Sequence, residues 1–139
     1  MKLFLDTNII IDFLTNRPPF TQEAVSIFQL AEDGKIELFT STHVLANTHY
    51  VLKKFVEDKK LRETLLELAE MIMIADVTAK GFLTALKSNH KDFEDAVQIS
   101  TAEQIGDVDY IITRNLKDFK SSSVPAISVQ ELMRILSGK

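Results

Sequence analysis

The sequence predicts an α/β protein built on a central, mainly parallel sheet of four to five strands. Two observations lead to this fold class. Apolar runs that are too short for helices recur along the chain and indicate buried strands. Segments with helical spacing of apolar residues separate these runs, and strands separated by helices pair in parallel. The length of 139 residues suits one domain, so we expect residues 1–139 to form a single unit.

The first half of the chain is predicted to begin with a buried strand over 2–5 that ends at Asp6. A short helix over 9–14 follows and stops before two prolines, because a residue that precedes proline is disfavoured in the α region. Thr21 is expected to cap the second helix, and a glycine follows the end of that helix. A second strand is predicted over 36–40.

The next elements follow from caps and apolar spacing. Ser41 is expected to cap a long helix whose apolar face runs from Val44 to Val56. The remaining predicted elements are an amphipathic helix over 61–72, a weak strand over 74–77, a helix over 79–86, a helix that begins at Asp92, a strand over 110–113, a strand over 126–129 and a helix near 132–136.

The composition excludes several classes of protein. Cysteine is absent, which excludes a disulfide scaffold, a thiol nucleophile and a cysteine-ligated metal. The net charge of −4, from 16 basic and 20 acidic residues, argues against a protein that holds nucleic acid by bulk counterion release. No apolar run approaches the ~18 residues of a membrane span, and the N-terminus lacks the apolar region of a signal peptide. We therefore expect a cytoplasmic protein.

Three acidic residues are placed where a parallel sheet binds ligands, beyond the carboxyl ends of its strands. Asp6 follows the first strand, Asp95 lies in the first turn of a helix, and Asp118 lies shortly after the strand that ends at Thr113. If the two strands are neighbours, these carboxylates meet at one edge of the sheet. Clustered carboxylates repel one another unless a cation is bound, and Mg²⁺ prefers such oxygen ligands.

Each acid also has a purely structural interpretation. Asp6 and Asn8 have the residue types that cap a short helix, and Asn8 is expected to be the cap. Asp92 and Asp95 are placed where any helix favours negative charge. Asp118 by itself is a typical turn residue. The metal-site hypothesis therefore depends on the joint placement of the acids.

The motifs around these acids resemble those of PIN domains, the nuclease fold of many toxins of toxin–antitoxin systems. The similar segments cover nearly the whole chain in order: Leu5-Asp6-Thr7-Asn8-Ile9, Asp92-Phe93-Glu94-Asp95-Ala96, Asp109-Tyr110-Ile111-Ile112-Thr113-Arg114-Asn115 and Lys117-Asp118-Phe119. The resemblance implies a three-layer α/β/α sandwich. It also implies Mg²⁺- or Mn²⁺-dependent hydrolysis of single-stranded RNA, an antitoxin protein as a partner, and a homodimer.

By this resemblance, Asp6, Asp95 and Asp118 are the catalytic and metal-binding residues. The chain departs from the family pattern at Asn47, where the family usually has a glutamate, and at Asn115, where it usually has a fourth acid. Asp118 is expected to supply the charge missing at Asn115. The residues expected to support the site or bind substrate are Thr7, Asn8, Asn47, Asp92, Thr113 and Asn115.

Other functions stay open at this point. Asn47 brings no charge to the site, so a catalytically weak PIN-like protein that binds RNA or a partner is the main alternative. A phosphoaspartyl signalling domain wants a second acid near the first strand, and a haloacid-dehalogenase-type phosphatase wants Asp-x-Asp, where this chain has Asn8. A pure interaction protein predicts no change of melting temperature with Mn²⁺.

Overall fold

A computed structural model describes residues 1–138 of the chain. Within that range, five parallel strands form one sheet with the spatial order β3-β2-β1-β4-β5. The strands are β1 (Lys2–Leu5), β2 (Glu37–Ser41), β3 (Met73–Ala75), β4 (Tyr110–Ile112) and β5 (Ala126–Ile127). The α/β fold class with a parallel sheet is confirmed, and the earliest strand occupies the centre of the sheet.

Seven α-helices connect the strands within residues 1–138. They are α1 (Thr7–Leu14), α2 (Phe20–Glu32), α3 (Thr42–Leu52), α4 (Asp58–Ala69), α5 (Ala79–Lys87), α6 (Phe93–Ile105) and α7 (Val129–Leu136), with a short 3₁₀ helix at Leu116–Phe119. The helices pack in two groups, α1 to α4 with α7, and α5 with α6. Right-handed crossovers that run in opposite directions along a sheet place their helices on opposite faces. This arrangement is the expected three-layer α/β/α sandwich.

The central strands are apolar on both faces because helices cover both sides of the sheet. Leu3, Phe4 and Leu5 of β1 are fully buried, as are Ile111 and Ile112 of β4. The two strands pair in register from Leu3 with Tyr110 to Leu5 with Ile112. The carboxyl ends of β1 and β4 therefore lie side by side, which is the condition that the predicted site requires.

Several caps and ends differ from the sequence prediction. The first helix begins at Thr7 with Asp6 as its N-cap, so the prediction that Asn8 caps it is wrong. The second helix begins at Phe20 without a side-chain cap, because the Thr21 hydroxyl instead accepts from the Arg17 N–H and donates to a loop carbonyl. Ser41 caps α3 as expected, but this helix ends at Leu52.

No helix within residues 1–138 is both long enough and apolar enough to cross a lipid bilayer. The C-terminal helix is amphipathic, with Val129 and Leu132 buried and Gln130 and Arg134 exposed.

The central position of β1 gives a direct test of the packing. We expect Leu3→Ala to lower the free energy of unfolding by about 2–5 kcal/mol, because it deletes a fully buried side chain and leaves a cavity. Leu83→Ala is the matched control: Leu83 on α5 is 53% exposed, so its truncation should cost no more than about 0.5 kcal/mol. Urea denaturation measures both. Equal costs would contradict the assignment of β1 to the core.

Candidate metal centre

Asp6 lies directly after β1 at the edge where the predicted site should form, and it is only 4% exposed. Within residues 1–138, three neutral groups donate hydrogen bonds to its carboxylate. The Thr7 backbone N–H and the Gln98 amide donate to Oδ1 at 2.7 and 2.9 Å, and the Thr113 hydroxyl donates to Oδ2 at 2.7 Å. A carboxylate offers about four acceptor positions. One position on Oδ2 is therefore left for another ligand.

The charge on Asp6 is costly in this environment. Burial raises the pKa of Asp6 above its ordinary value and outweighs the hydrogen bonds, which lower it, while the charge of Asp118 raises the pKa further. None of the ion pairs within residues 1–138 involves Asp6. A bound cation would offset the cost that these neutral donors leave uncompensated.

Thr113 connects Asp6 to the segment that follows β4. Its fully buried hydroxyl donates to Asp6 and also accepts from the Asn115 backbone N–H at 2.9 Å. The exposed Asn115 in turn accepts a bond from the Asp118 N–H through its carbonyl at 3.0 Å. Thr113 thus orients the carboxylate and shapes the turn that leads to Asp118.

An ion pair between Arg114 and Asp12 holds the same segment in place. Arg114 donates two hydrogen bonds to Asp12, from Nε at 2.7 Å and from Nη2 at 3.1 Å. Asp12 is 1% exposed and also lies 3.5 Å from the Arg17 guanidinium, while the Arg114 guanidinium stacks over the Phe20 ring. The sequence analysis missed this pair because Asp12 and Arg114 are 102 residues apart. Breaking such a pair is costly, so it fixes the segment between Thr113 and Asn115.

Asp95 lies in the first turn of α6, three residues after Asp92, which is the N-cap of this helix. The Asp92 carboxylate accepts a hydrogen bond from the Asp95 N–H at 3.0 Å, so the structural role expected of Asp92 is real. Burial, followed by the negative charges of Asp6, Asp92, Asp118 and Glu94, raises the pKa of Asp95 to about 7. Asp95 is therefore a half-buried acid that is influenced by four other acids and that forms no ion pair within residues 1–138.

Asp118 lies on the exposed 3₁₀ helix, and its charge acts on both Asp6 and Asp95. Electrostatically, the three predicted acids belong to one site. They do not close around a point, however: within residues 1–138, no three His, Asp or Glu side chains are grouped tightly enough to hold an ion between them. A cation bound here would need water or substrate oxygens as further ligands.

The other predicted site residues differ in their contacts and burial. Thr7 contributes its backbone N–H to Asp6. Asn8, in the first turn of α1, is partly buried, and its Oδ1 has no hydrogen-bond partner. Asn47 is partly buried on α3 and is not among the donors to Asp6 within residues 1–138.

Gln98 is the site residue that the sequence analysis missed. It is 3% exposed on α6, and its amide nitrogen holds Asp6. Its position gives an indication that was available in the sequence: Gln98 is three residues after Asp95, which places both on one side of the helix. It is also polar within a run of seven buried residues, from Ala96 to Ala102.

The donor set fits a hard divalent cation. Besides the free position on Asp6, two buried amide oxygens, Asn8 Oδ1 and Gln98 Oε1, have no hydrogen-bond partner within residues 1–138. Buried polar atoms are normally satisfied, so such unpaired oxygens are available to a bound water or an ion. Mg²⁺ and Mn²⁺ take oxygen ligands, and Mg²⁺ keeps several waters around one or two carboxylates.

Comparison with known sequences gives a family and one curated relative. The family model for the PIN domain matches residues 2–117. Over 138 residues the chain is 28% identical to the ribonuclease VapC1 of Aquifex aeolicus (strain VF5), a match that covers 94% of this chain and 92% of the relative.

Similar folds occur among solved structures. DNA-bound VapBC from Salmonella typhimurium aligns with a TM-score of 0.71 at 17% identity, covering 93% of this chain and 98% of that chain. A toxin–antitoxin complex from Klebsiella pneumoniae aligns with a TM-score of 0.65 at 24% identity, covering 91% and 97%. At these identities the likeness concerns the fold.

The raised pKa of Asp95 predicts how stability depends on pH. Because its folded value of about 7 exceeds the ordinary 3.8, the folded chain holds a proton that the unfolded chain has already lost between these values. The free energy of unfolding of the metal-free protein should therefore fall as pH rises from about 4 to about 7. Asp95→Asn should flatten this dependence and raise the metal-free melting temperature at pH 8, measured by calorimetry.

The exposed Asp76→Asn is the charge-matched control for this measurement. It should leave the pH dependence unchanged. If Asp95→Asn retained the full pH dependence of the wild type, the electrostatic description of the site would be wrong.

Proposed function

The chain belongs to the PIN-domain family, and from this membership we propose that it is a metal-dependent ribonuclease acting on single-stranded RNA. The observation that carries the proposal is the buried Asp6 carboxylate, which has neutral donors, one free acceptor position and acidic neighbours. This arrangement is unfavourable for the fold by itself and favourable for a cation. The curated relative named a ribonuclease, similar over almost its whole length, supports RNA as substrate.

In this proposal, Asp6 and Asp95 hold one Mg²⁺ or Mn²⁺, directly or through water. When bound, such a cation lowers the pKa of water and offsets charge on a phosphodiester. Asp118, exposed at the open side of the site, orients the attacking water and accepts its proton. Thr113 and Gln98 keep Asp6 in one orientation. Asn115 and Asn47 offer amide groups that hydrogen-bond waters or phosphate oxygens.

We further propose that the protein is the toxin of a toxin–antitoxin pair. The support is the resemblance of the fold to a chain of a toxin–antitoxin complex and to a VapBC assembly bound to DNA. An antitoxin protein is then the partner that restrains cleavage. A homodimer is the assembly that the family resemblance implies.

The second candidate function is a PIN-like protein that binds RNA or a partner and cleaves weakly. Two observations favour it. The family's usual glutamate is replaced by the neutral Asn47. The acids within residues 1–138 also do not close around one point. The first lowers the negative charge of the site, and the second spreads the remaining charge over a larger volume. Both weaken the attraction for a cation, so the two candidate functions differ in metal affinity and turnover.

The central test is cleavage of a mixed single-stranded RNA pool by the purified protein with Mn²⁺, with Mg²⁺ and with chelator. We expect cleavage with either metal and none with chelator. Asp6→Asn should lower the rate by on the order of 100-fold or more, beyond the ~10- to 100-fold typical of groups that only support a metal ligand.

Asp76→Asn, exposed and outside the site, controls for preparation and net charge and should cleave like the wild type. Cleavage that survives in Asp6→Asn would reveal a contaminating nuclease. No cleavage by the wild type over a range of metal concentrations would favour the second candidate function.

The role of Asn47 has its own test. Asn47→Glu adds a carboxylate where the family usually has one, so we expect Mn²⁺ to raise its melting temperature more than that of the wild type at the same concentration. The Mn²⁺ concentration for half-maximal RNA cleavage should fall as well. Asn47→Gln lengthens the side chain without charge and is the matched control. Equal behaviour of the two variants would place residue 47 outside the metal centre.

A further inference from the structure

A surface pocket with a cavity volume of about 470 Å³ lies next to the candidate metal centre. One wall is the segment before α6, which includes Lys91 and Asp92. The other wall is the 3₁₀ helix and the turn after it, which include Lys117, Asp118 and Lys120. The pocket therefore shares Asp92 and Asp118 with the acidic site, whose charges act on Asp95. A ligand bound in this pocket therefore lies next to the acids of the candidate metal centre.

The pocket reverses the charge balance of the chain. The whole chain has 16 basic and 20 acidic residues, whereas the pocket lining has three lysines and two aspartates. Within residues 1–138, none of the ion pairs or hydrogen bonds involves the ammonium group of Lys91, Lys117 or Lys120. Three uncommitted cations therefore line a concave surface at the edge of an acidic centre.

The two walls are held together, so the pocket exists before any ligand binds. An exposed hydrogen bond between the His90 ring and the Ser121 hydroxyl joins the segment before α6 to the turn after the 3₁₀ helix. Helix α6 also packs against the 3₁₀ helix. A preformed pocket binds with less loss of conformational freedom than one assembled on binding.

We propose that Lys91, Lys117 and Lys120 bind the phosphates of single-stranded RNA next to the bond that the metal centre cleaves. This inference rests on the proposed function and names the path of its substrate. The volume lies within the ~300–1,000 Å³ of ordinary ligand sites, which suits one or two nucleotide units. Ammonium groups are suitable partners for phosphate oxygens, and they compensate the repulsion between a polyanion and the neighbouring acids.

Another group of lysines lies at the junction of α3 and α4 and is the competing surface. Lys53 and Lys54 there lie over the Tyr50 ring, at 4.8 and 5.8 Å from its centre, so part of their cationic surface is already engaged. Neither Lys53 nor Lys54 lines either of the two pockets described within residues 1–138, whereas Lys91, Lys117 and Lys120 share a pocket with Asp92 and Asp118. The pocket beside Asp118 is the better placed of the two.

The test compares two triple variants with the same change of charge. Lys91→Gln, Lys117→Gln and Lys120→Gln together remove the pocket cations. Lys35→Gln, Lys80→Gln and Lys87→Gln together remove three exposed cations outside both the pocket and the junction of α3 and α4. Because all six side chains are at the surface, we expect both proteins to fold, which melting curves check. Initial rates of RNA cleavage then give kcat and KM for each.

We expect the KM of the pocket variant to exceed that of the wild type by on the order of 10- to 100-fold at 0.1 M salt. Each phosphate contact contributes ~0.7 to the slope of log K against log salt concentration in single-strand binding, so the loss of these contacts weakens binding. The salt slope should fall by about 2 for three contacts. Its kcat, and its hydrolysis of bis(p-nitrophenyl) phosphate, which has no flanking phosphates, should stay near the wild-type values. An equal KM for the two triple variants would overturn the inference.

A binding measurement separates this inference from the proposed function. A fluorescent oligoribonucleotide is titrated into each triple variant in the Asp6→Asn background, where RNA should remain intact. Weaker binding in the pocket variant alone supports the lysines even if the wild type proves unable to cleave RNA. Equal binding by both triple variants overturns the inference even if the wild type is an active ribonuclease.

Discussion

The Asp6 carboxylate is the feature around which the edge of this sheet is organised. It is buried after the central strand and held by a hydroxyl from the neighbouring strand, an amide from α6 and the first N–H of α1. The end of β1, helix α6 and the residue after β4, which are distant in sequence, therefore meet on one charged group. Neutral donors orient this group without cancelling its charge, so the carboxylate keeps its affinity for a cation.

The surrounding acids add to this constraint. Asp95 lies in the first turn of α6, which Asp92 caps, and Asp118 lies on the 3₁₀ helix that follows Asn115. The helix cap formed by Asp92 and the buried pair of Asp12 with Arg114 fix the two segments that bring them there. The fold thus stabilises a repulsive arrangement through interactions elsewhere, as functional sites commonly do.

The acids of the candidate metal centre and the lysines of the adjacent pocket form neighbouring regions of opposite charge. The charges of Asp6, Asp92 and Asp118 act together on Asp95, and the ammonium groups of the lysines in the adjacent pocket have no hydrogen-bond or ion-pair partner within residues 1–138. In the function we propose, single-stranded RNA places one phosphate at the acids and the neighbouring phosphates at the lysines. On that proposal, the separation explains how a chain with a net charge of −4 can bind RNA.

The sequence by itself determined the order and type of most elements, because buried parallel strands are short apolar runs and helices repeat every 3.6 residues. It also indicated the residues after β1 and β4, since ligands bind beyond the carboxyl ends of parallel strands. Helix ends were less predictable where hydroxyls have competing partners, as the Thr21 hydroxyl does in the loop before α2. The partnership of Gln98 with Asp6, the pair of Asp12 with Arg114, and the joining of Lys91 with Lys117 in one pocket were decided only by the tertiary structure. Each depends on contact between residues far apart in the chain, which local spacing does not encode.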